Sequence, residues 1–342
     1  MIKSICIVRL SALGDVLMLV PLIRTLQANL AGVSITWVIS RPAYDMVEGM
    51  PGVDFIVIDK PNSIKDYWRF KKQLNGRSFD VLIAAQASLR ANLLYPFIKA
   101  ERKLGFDTER AKDGHRWFVK ETISPGEEHN LESFLKFAQL LGLEKIKINW
   151  NLPITEADKE WASAHLPAEG PILLVNPAAS KPERSWPVER YVEVIKEAKK
   201  RWRAQVVLTG GPGAFDRKLA DAILKQVSCL DLVGKTKPKQ LLAVIDNAQA
   251  LLCPDTGPSH MATAVGTPVV ALHAVTNPEI SGPYTFRHLV VNRYPQAVRN
   301  ILKIREEEAW GQKVHGKEAM QLIQVEDVLA KLSVVLNETG SA

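Results

Sequence analysis

Cysteine is scarce in this chain: there are three in 342 residues, Cys6, Cys229 and Cys253, far apart and each set in an apolar run. Such spacing supplies neither a disulfide framework nor a metal cluster, and it fits a reducing compartment. Long apolar stretches are missing too. Each is interrupted well before the ~18 residues that a membrane-spanning helix needs, and the first strand-like run turns to Arg9 almost at once. Neither a signal peptide nor a transmembrane span is expected, so any membrane contact would be peripheral. The G-x-G-x-x-G spacing of a dinucleotide site is absent after the first strand, where one glycine stands, Gly14,. No Asp-x-Asp pair stands at a strand end as a metal site. The chain also lacks the RNP, zinc and helix-turn-helix signatures that would point to nucleic acid.

What is present is the composition of a folded α/β protein. With 46% hydrophobic and 24% charged residues, the length suits about two domains. Net charge is +7 and the pI is near 9.2, which calls for an anionic partner. The charge is concentrated: residues 60–120 hold 14 Lys or Arg against 6 Asp or Glu, an excess of 8, while the rest of the chain nets −1.

Short β-branched runs alternate with segments of helical period, the pattern of parallel sheets with crossover helices. The first half shows strands at Ile5–Leu10, Val33–Ser40, Asp54–Asp59, Val81–Ala85 and Trp117–Ile123, with helical patterns that include Ile64–Leu74, Leu89–Lys99 and His129–Leu143. The second half repeats the scheme, with strands at Pro171–Asn176, Gln205–Thr209, Leu230–Val233, Ala250–Cys253 and Val269–His273. After Tyr284 the strand signal fades, and Val325–Leu336 reads as a final amphipathic helix. Pro153, Pro167 and Gly170 mark the boundary. The expected organisation is a doubly wound domain over 1–155, a second over 156–322, and a helix and tail over 323–342. In open parallel sheets ligands bind at the carboxyl ends of strands, so the chemistry is sought in the loops there.

Four loops qualify. In Arg9–Val16 a Gly-Asp pair opens a helix, where the Asp15 carboxylate is either a cap for backbone amides or a general base for an acceptor hydroxyl. Asn176–Pro187 supplies the Ser180 hydroxyl and the Lys181 and Arg184 cations ahead of a helix that Pro187 opens. Those donors suit a diphosphate; the alternative is a solvated basic loop. In Thr209–Asp216 the glycines allow close backbone approach, and Asp216 could accept from a ribose hydroxyl. Pro254–Ala262 gathers Asp255, Thr256, the Gly257 amide and His260 at a helix start beside a buried strand, where each polar group needs a partner.

RLSALGD after the first strand, the S-K-x-x-R-x-W-P loop, the Gly-Gly-Pro turn and DTGPSHMA together resemble the heptosyltransferases of lipopolysaccharide core assembly, glycosyltransferase family 9. The likeness runs from Ile5 to about Leu336, and the ending, with NRYPQAVR and EEAWGQKVHGKEAM, is most similar to the branch that adds the first heptose. The resemblance implies a GT-B fold, two Rossmann-like domains facing a central cleft. It also implies an inverting reaction without bound metal or other cofactor. The donor would be ADP-L-glycero-D-manno-heptose and the acceptor the Kdo region of lipid A, at the cytoplasmic face of the inner membrane. By position Asp15 falls on the catalytic carboxylate, Ser180 and Arg184 on the diphosphate contacts, and Asp255, Thr256, Gly257 and His260 on the donor motif. Relatives often carry Lys where Arg184 stands.

For the acceptor's phosphates and carboxylates the candidates are Arg9, Ser11, Lys65, Arg69, Lys72, Arg90, Arg110 and Arg116, with Tyr67, Trp68 and Phe70 resting against lipid. The competing readings are a GT-B enzyme for another sugar nucleotide and a non-catalytic protein that holds anionic lipid.

Overall fold

The computed structural model describes residues 2–337. They form two compact units, divided in sequence between Pro153 and Ile154.

The first unit is built on six parallel strands: β1 (Ser4–Val8), β2 (Ser34–Ser40), β3 (Val53–Ile58), β4 (Ser78–Ile83), β5 (Lys99–Gly105) and β6 (Glu121–Thr122), in the order β3-β2-β1-β4-β5-β6. In β1, Ile5, Cys6, Ile7 and Val8 are all buried. Such a strand is covered on both faces, which is why it reads as an unbroken apolar run. The next helix, Leu13–Asn29, buries every residue from Val16 to Ile23.

The second unit repeats the plan with β7 (Ile172–Val175), β8 (Gln205–Leu208), β9 (Leu230–Asp231), β10 (Ala250–Pro254), β11 (Val269–His273) and β12 (Val291–Asn292), in the order β12-β11-β10-β7-β8-β9. All pairings in both sheets are parallel. Each sheet therefore reverses its strand order once, between β1 and β4 and between β7 and β10. At such switch points the loops diverge and leave a crevice for ligand.

Three expectations need correction. The helix expected over Leu89–Lys99 is one turn, Leu89–Asn92, followed by a 3-10 turn at Tyr95–Phe97, since Pro96 cannot continue the helix. Lys99 then starts β5, a strand the sequence conceals because its first five residues are exposed or half-buried. Of the strand expected over Trp117–Ile123 only Glu121–Thr122 pairs, and Trp117 sits in a 3-10 turn, His115–Trp117. β12 pairs with β11 through two residues, too few to leave a period in the sequence.

The Val325–Leu336 helix belongs to the second unit's core, with Val325, Val328, Leu329, Leu332 and Leu336 buried. Arg293 holds Asp327 at its N-terminus through two guanidinium nitrogens, and the Trp202 indole donates to Asn337 Oδ1 at 2.6 Å. Residues 338–342 of the expected tail lie outside the described residues. Among the described residues no helix is long and apolar enough to cross a membrane.

Candidate functional site

At the first switch point β1 runs into Arg9–Leu13 and β4 into Ala84–Ser88. The two segments are bound together: Arg9 Nη1 donates to the Ala85 carbonyl at 2.7 Å, and the Leu10 amide donates to Gln86 Oε1 at 2.7 Å. The Tyr95 hydroxyl, fully buried, donates to the Gln86 carbonyl at 2.6 Å. On this frame Asp15 occupies the first turn of the Leu13–Asn29 helix with its side chain 28% exposed. Its Oδ2 accepts from the Ala12 amide at 3.2 Å and pairs with the Arg9 guanidinium. Both contacts meet one carboxylate oxygen, so the second remains for another proton donor. The carboxylate thus caps the helix while its second oxygen stays open, half-buried at the end of the sheet.

Arg9, expected to touch acceptor, is half-buried and engaged within the unit. It pairs with Asp15, bonds Ala85 and lies over the Phe134 ring at 5.4 Å. Ser11 lies in the loop beside it, half-buried. Gln86 went unnoticed in the sequence, although the rule of looking just after strands applies to it as well.

The second switch point carries the other constellation. The loop after β7 is pinned at both ends: the Asn176 side-chain amide donates to the Ala178 carbonyl at 2.9 Å, and the buried Trp186 indole donates to the Ile323 carbonyl at 3.2 Å. Between them Arg184 points across to the loop after β10. Its Nη1 donates to Asp255 Oδ2 at 2.9 Å and its Nη2 donates to Ser180 Oγ. Asp255 also accepts from Thr276 Oγ1 at 2.8 Å. Burial raises the Asp255 carboxyl, and the His273 imidazole, Arg184 and Thr276 more than offset it, leaving the group below the ordinary carboxylate range,. Thr256 then precedes the Gly257–Val265 helix, on which His260 is buried, so the first amides of that helix open beside Asp255 and Arg184.

Lys181 and Ser180 are exposed on the rim. Asp216, the expected ribose contact, lies in the first turn of the Ala214–Leu224 helix and accepts from the Gly211 amide at 2.8 Å; it shapes the glycine turn with one oxygen. Three buried polar atoms have no partner among the described residues at this end of the sheet: Arg184 Nε, Thr209 Oγ1 and His273 Nε2. Buried groups without partners are uncommon. Thr276, His273 and the turn at His315, whose Nδ1 meets Glu183 Oε1 at 2.9 Å, are members of this neighbourhood that the sequence did not disclose. Among the described residues no three His, Cys, Asp or Glu side chains come together as a metal site.

The basic candidates divide. Lys65, Arg69 and Lys72 are exposed on the Ile64–Leu74 helix, Arg90 on Leu89–Asn92 and Arg116 in the His115–Trp117 turn. Arg110 departs from expectation: Asp107, Glu128 and the Gly126 carbonyl hold its guanidinium, so it fastens a loop and its charge is balanced. Phe70, expected at a lipid surface, belongs to the core; Tyr67 is half-buried and Trp68 exposed.

The family model for glycosyltransferase family 9 (heptosyltransferase) matches residues 67–310. The lipopolysaccharide core heptosyltransferase OpsX of Haemophilus influenzae is 33% identical over 334 residues, covering 96% of this chain and 96% of that protein. Two solved structures share the fold. The family 9 glycosyltransferase of Veillonella parvula has a TM-score of 0.80 at 23% identity, over 98% of this chain and 97% of that one. The ADP-heptose lipopolysaccharide heptosyltransferase II of E. coli has 0.74 at 20%, over 99% and 100%. With the two strand-order reversals and the loops upon them, these matches establish the GT-B plan that the motifs imply. The chain belongs to glycosyltransferase family 9, the heptosyltransferases.

Proposed function

We propose that the protein transfers heptose from ADP-L-glycero-D-manno-heptose to the Kdo region of lipid A, with inversion at the anomeric carbon and without a bound metal. The observation that carries this reading is Arg184, held between Asp255 and Ser180 at the second switch point. A guanidinium fixed beside a helix start and unpartnered buried donors suits a diphosphate leaving group. The names of OpsX and of the E. coli enzyme, lipopolysaccharide core and ADP-heptose heptosyltransferases, support the pathway and the donor.

In the reaction Asp15 takes the proton of the acceptor hydroxyl as that oxygen attacks the anomeric carbon. The bond from that carbon to the ADP oxygen breaks, and the charge gathering on the diphosphate is met by Arg184, Lys181 and the amides at Gly257. Arg9 keeps the Asp15 carboxylate turned. Asp255 and Thr276 set the guanidinium and leave with it the chemistry that a divalent cation would otherwise supply. Exposed Lys65, Arg69, Lys72, Arg90 and Arg116 meet the phosphates and carboxylates of the acceptor.

Purified protein incubated with deacylated lipid A–Kdo and ADP-heptose, with and without EDTA, tests the reading, the product's anomeric configuration being read by NMR. Heptosylated product of inverted configuration, unaffected by EDTA, is expected. Turnover with UDP- or GDP-sugars but not with ADP-heptose would overturn the donor assignment.

A further inference from the structure

The first unit carries exposed apolar side chains that its fold does not use. Ile64 is 77% exposed and Trp117 87%, and Trp68, Leu89 and Leu93 are also exposed. All five lie within the basic stretch between residues 60 and 120.

The segments that carry them are tied together. The Trp68 ring lies 6.4 Å from that of Phe97, and the Tyr67 hydroxyl donates to the Arg90 carbonyl at 3.4 Å, so the Ile64–Leu74 helix packs on the turn Leu89–Asn92. The Leu89 amide donates to Asp113 at 2.9 Å, and the Asn92 side chain donates to the Lys112 and Asp113 carbonyls, each at 2.9 Å. Asn92 Oδ1 in turn meets His115 Nδ1 at 2.9 Å. These bonds fix the turn that presents Trp117, whose ring lies against Gly114, where a Cβ would stand 2.8 Å from it.

Charge is interleaved with this apolar surface. On the Ile64–Leu74 helix Ile64 and Trp68 share one face at i, i+4 spacing, flanked by Lys65, Arg69 and Lys72, and the Lys71 ammonium lies 4.7 Å from the Trp68 ring centre. Arg69 pairs with Asp66; for Lys65, Lys71, Lys72, Arg90 and Arg116 no ion pair is recorded among the described residues. Protein–protein interfaces gather their apolar groups into a core depleted of charge, lysine above all. Here five apolar side chains are separated by unpaired cations, the arrangement that suits the headgroup layer of an anionic bilayer. Tryptophan settles there with its polar edge wet, and each nearby Lys or Arg adds to the attraction.

We propose that this face is a membrane-docking platform, which seats on an anionic bilayer by inserting Ile64, Trp68, Leu89, Leu93 and Trp117 among headgroups that the surrounding cations attract. The inference rests on the reading that the acceptor is a lipid, and it deepens it. The Ala84–Ser88 segment that frames Asp15 through Gln86 runs directly into Leu89. A lipid-anchored sugar is thereby offered to the Asp15 loop from the surface on which its acyl chains lie.

Full-length protein is mixed with vesicles of pure phosphatidylcholine or of phosphatidylcholine with phosphatidylglycerol, and binding is read by sedimentation and by quenching of tryptophan fluorescence with brominated lipid. Binding to the anionic vesicles alone, weakened by salt, is expected. Trp117→Ser and Trp68→Ser should each lower it roughly tenfold, the loss of part of a buried side chain's transfer free energy, and Trp117→Phe should lose much of the quenching while still binding. Both serine variants should keep the ADP-induced rise in Tm and wild-type turnover on deacylated acceptor, which needs no bilayer. Three results would overturn the platform: no vesicle binding, equal binding by the serine variants, or a dimer in solution that Trp117→Ser dissociates. Failure of the reaction itself shows separately, as absent turnover on the soluble acceptor by a protein that still binds vesicles.

Discussion

Asp15 brings a structural and a catalytic reading together on one carboxylate. A carboxylate in a helix's first turn is a cap by default, and Asp15 does accept the Ala12 amide, but the cap and the Arg9 pair share a single oxygen. Asp15→Asn keeps an acceptor for that amide and removes the base. Turnover should fall roughly 10²–10⁴-fold, the usual worth of a general base, while calorimetry finds ADP affinity unchanged; near wild-type kcat would leave Asp15 as a cap alone. Arg184 poses the complementary case. Two of its nitrogens bond two different residues, Asp255 and Ser180, and a single ammonium cannot reproduce that fork. Arg184→Lys should therefore weaken ADP binding about tenfold, the worth of one charge-assisted hydrogen bond, with kcat less affected than KM. The residue types at these positions were legible in the sequence because a loop after a strand is short and its chemistry is local. Gln86, Thr276 and His273 were not, because single polar residues in apolar surroundings leave no pattern.

Among elements, β5 is the instructive one. Its sequence reads as polar, and it is placed by partners on both sides, β4 and β6, so no local signal announces it. At its end Gly105 is required for space: a Cβ there would stand 2.6 Å from both His115 Nε2 and Val119 Cγ1. Gly105→Ala should destabilise the protein by about 1–3 kcal/mol, the usual cost of overpacking, as measured by urea denaturation. The neighbouring imidazole makes a second prediction. His115 Nε2 accepts from the Phe106 amide at 3.1 Å, which leaves Nδ1 to donate to Asn92 Oδ1. Only the neutral ring fits both partners, and burial pushes its pKa down to about 4. The unfolded chain binds the proton near pH 6.5 and the folded chain does not until about pH 4. Stability from this group is therefore complete above about 6.5 and is lost between there and 4, roughly 3 kcal/mol in all. Denaturation midpoints across that range should show the decline, and His115→Asn should flatten it; a wild-type midpoint independent of pH there would remove His115 as its source.

For the whole molecule the consequence lies in the two cores. Each unit has its own parallel sheet and its own helices, and the residues proposed to hold the donor all belong to the second. ADP at about 100 times its Kd should stabilise the unit that binds it by about 2.7 kcal/mol. Hydrogen exchange should show that protection over β7, β10 and the Gly257–Val265 helix, with β1 to β6 unchanged. Equal protection in the first unit would contradict a donor site built from the second alone. The charge also takes its meaning at this scale. The +7 of the composition is a cluster in the first unit, part of it held in pairs such as Arg110 with Asp107 and Glu128, while Lys65, Arg69, Lys71 and Lys72 are exposed on the helix that carries Trp68.

By itself the sequence determined the alternation of strand and helix, the two-unit plan and the placing of Asp15 and of Asp255 to His260 after strands. Burial on both faces writes continuous apolar runs, and turns write glycine, proline and aspartate, all within a few residues of one another. Tertiary structure alone decided the strand order, and with it the meeting of Arg184 with Asp255, 71 positions apart, and of Leu10 with Gln86, 76 apart. It also decided that Phe70 is core while Trp117 faces solvent. Both are non-local outcomes: which strand lies beside which, and what covers a given side chain, depend on segments far along the chain.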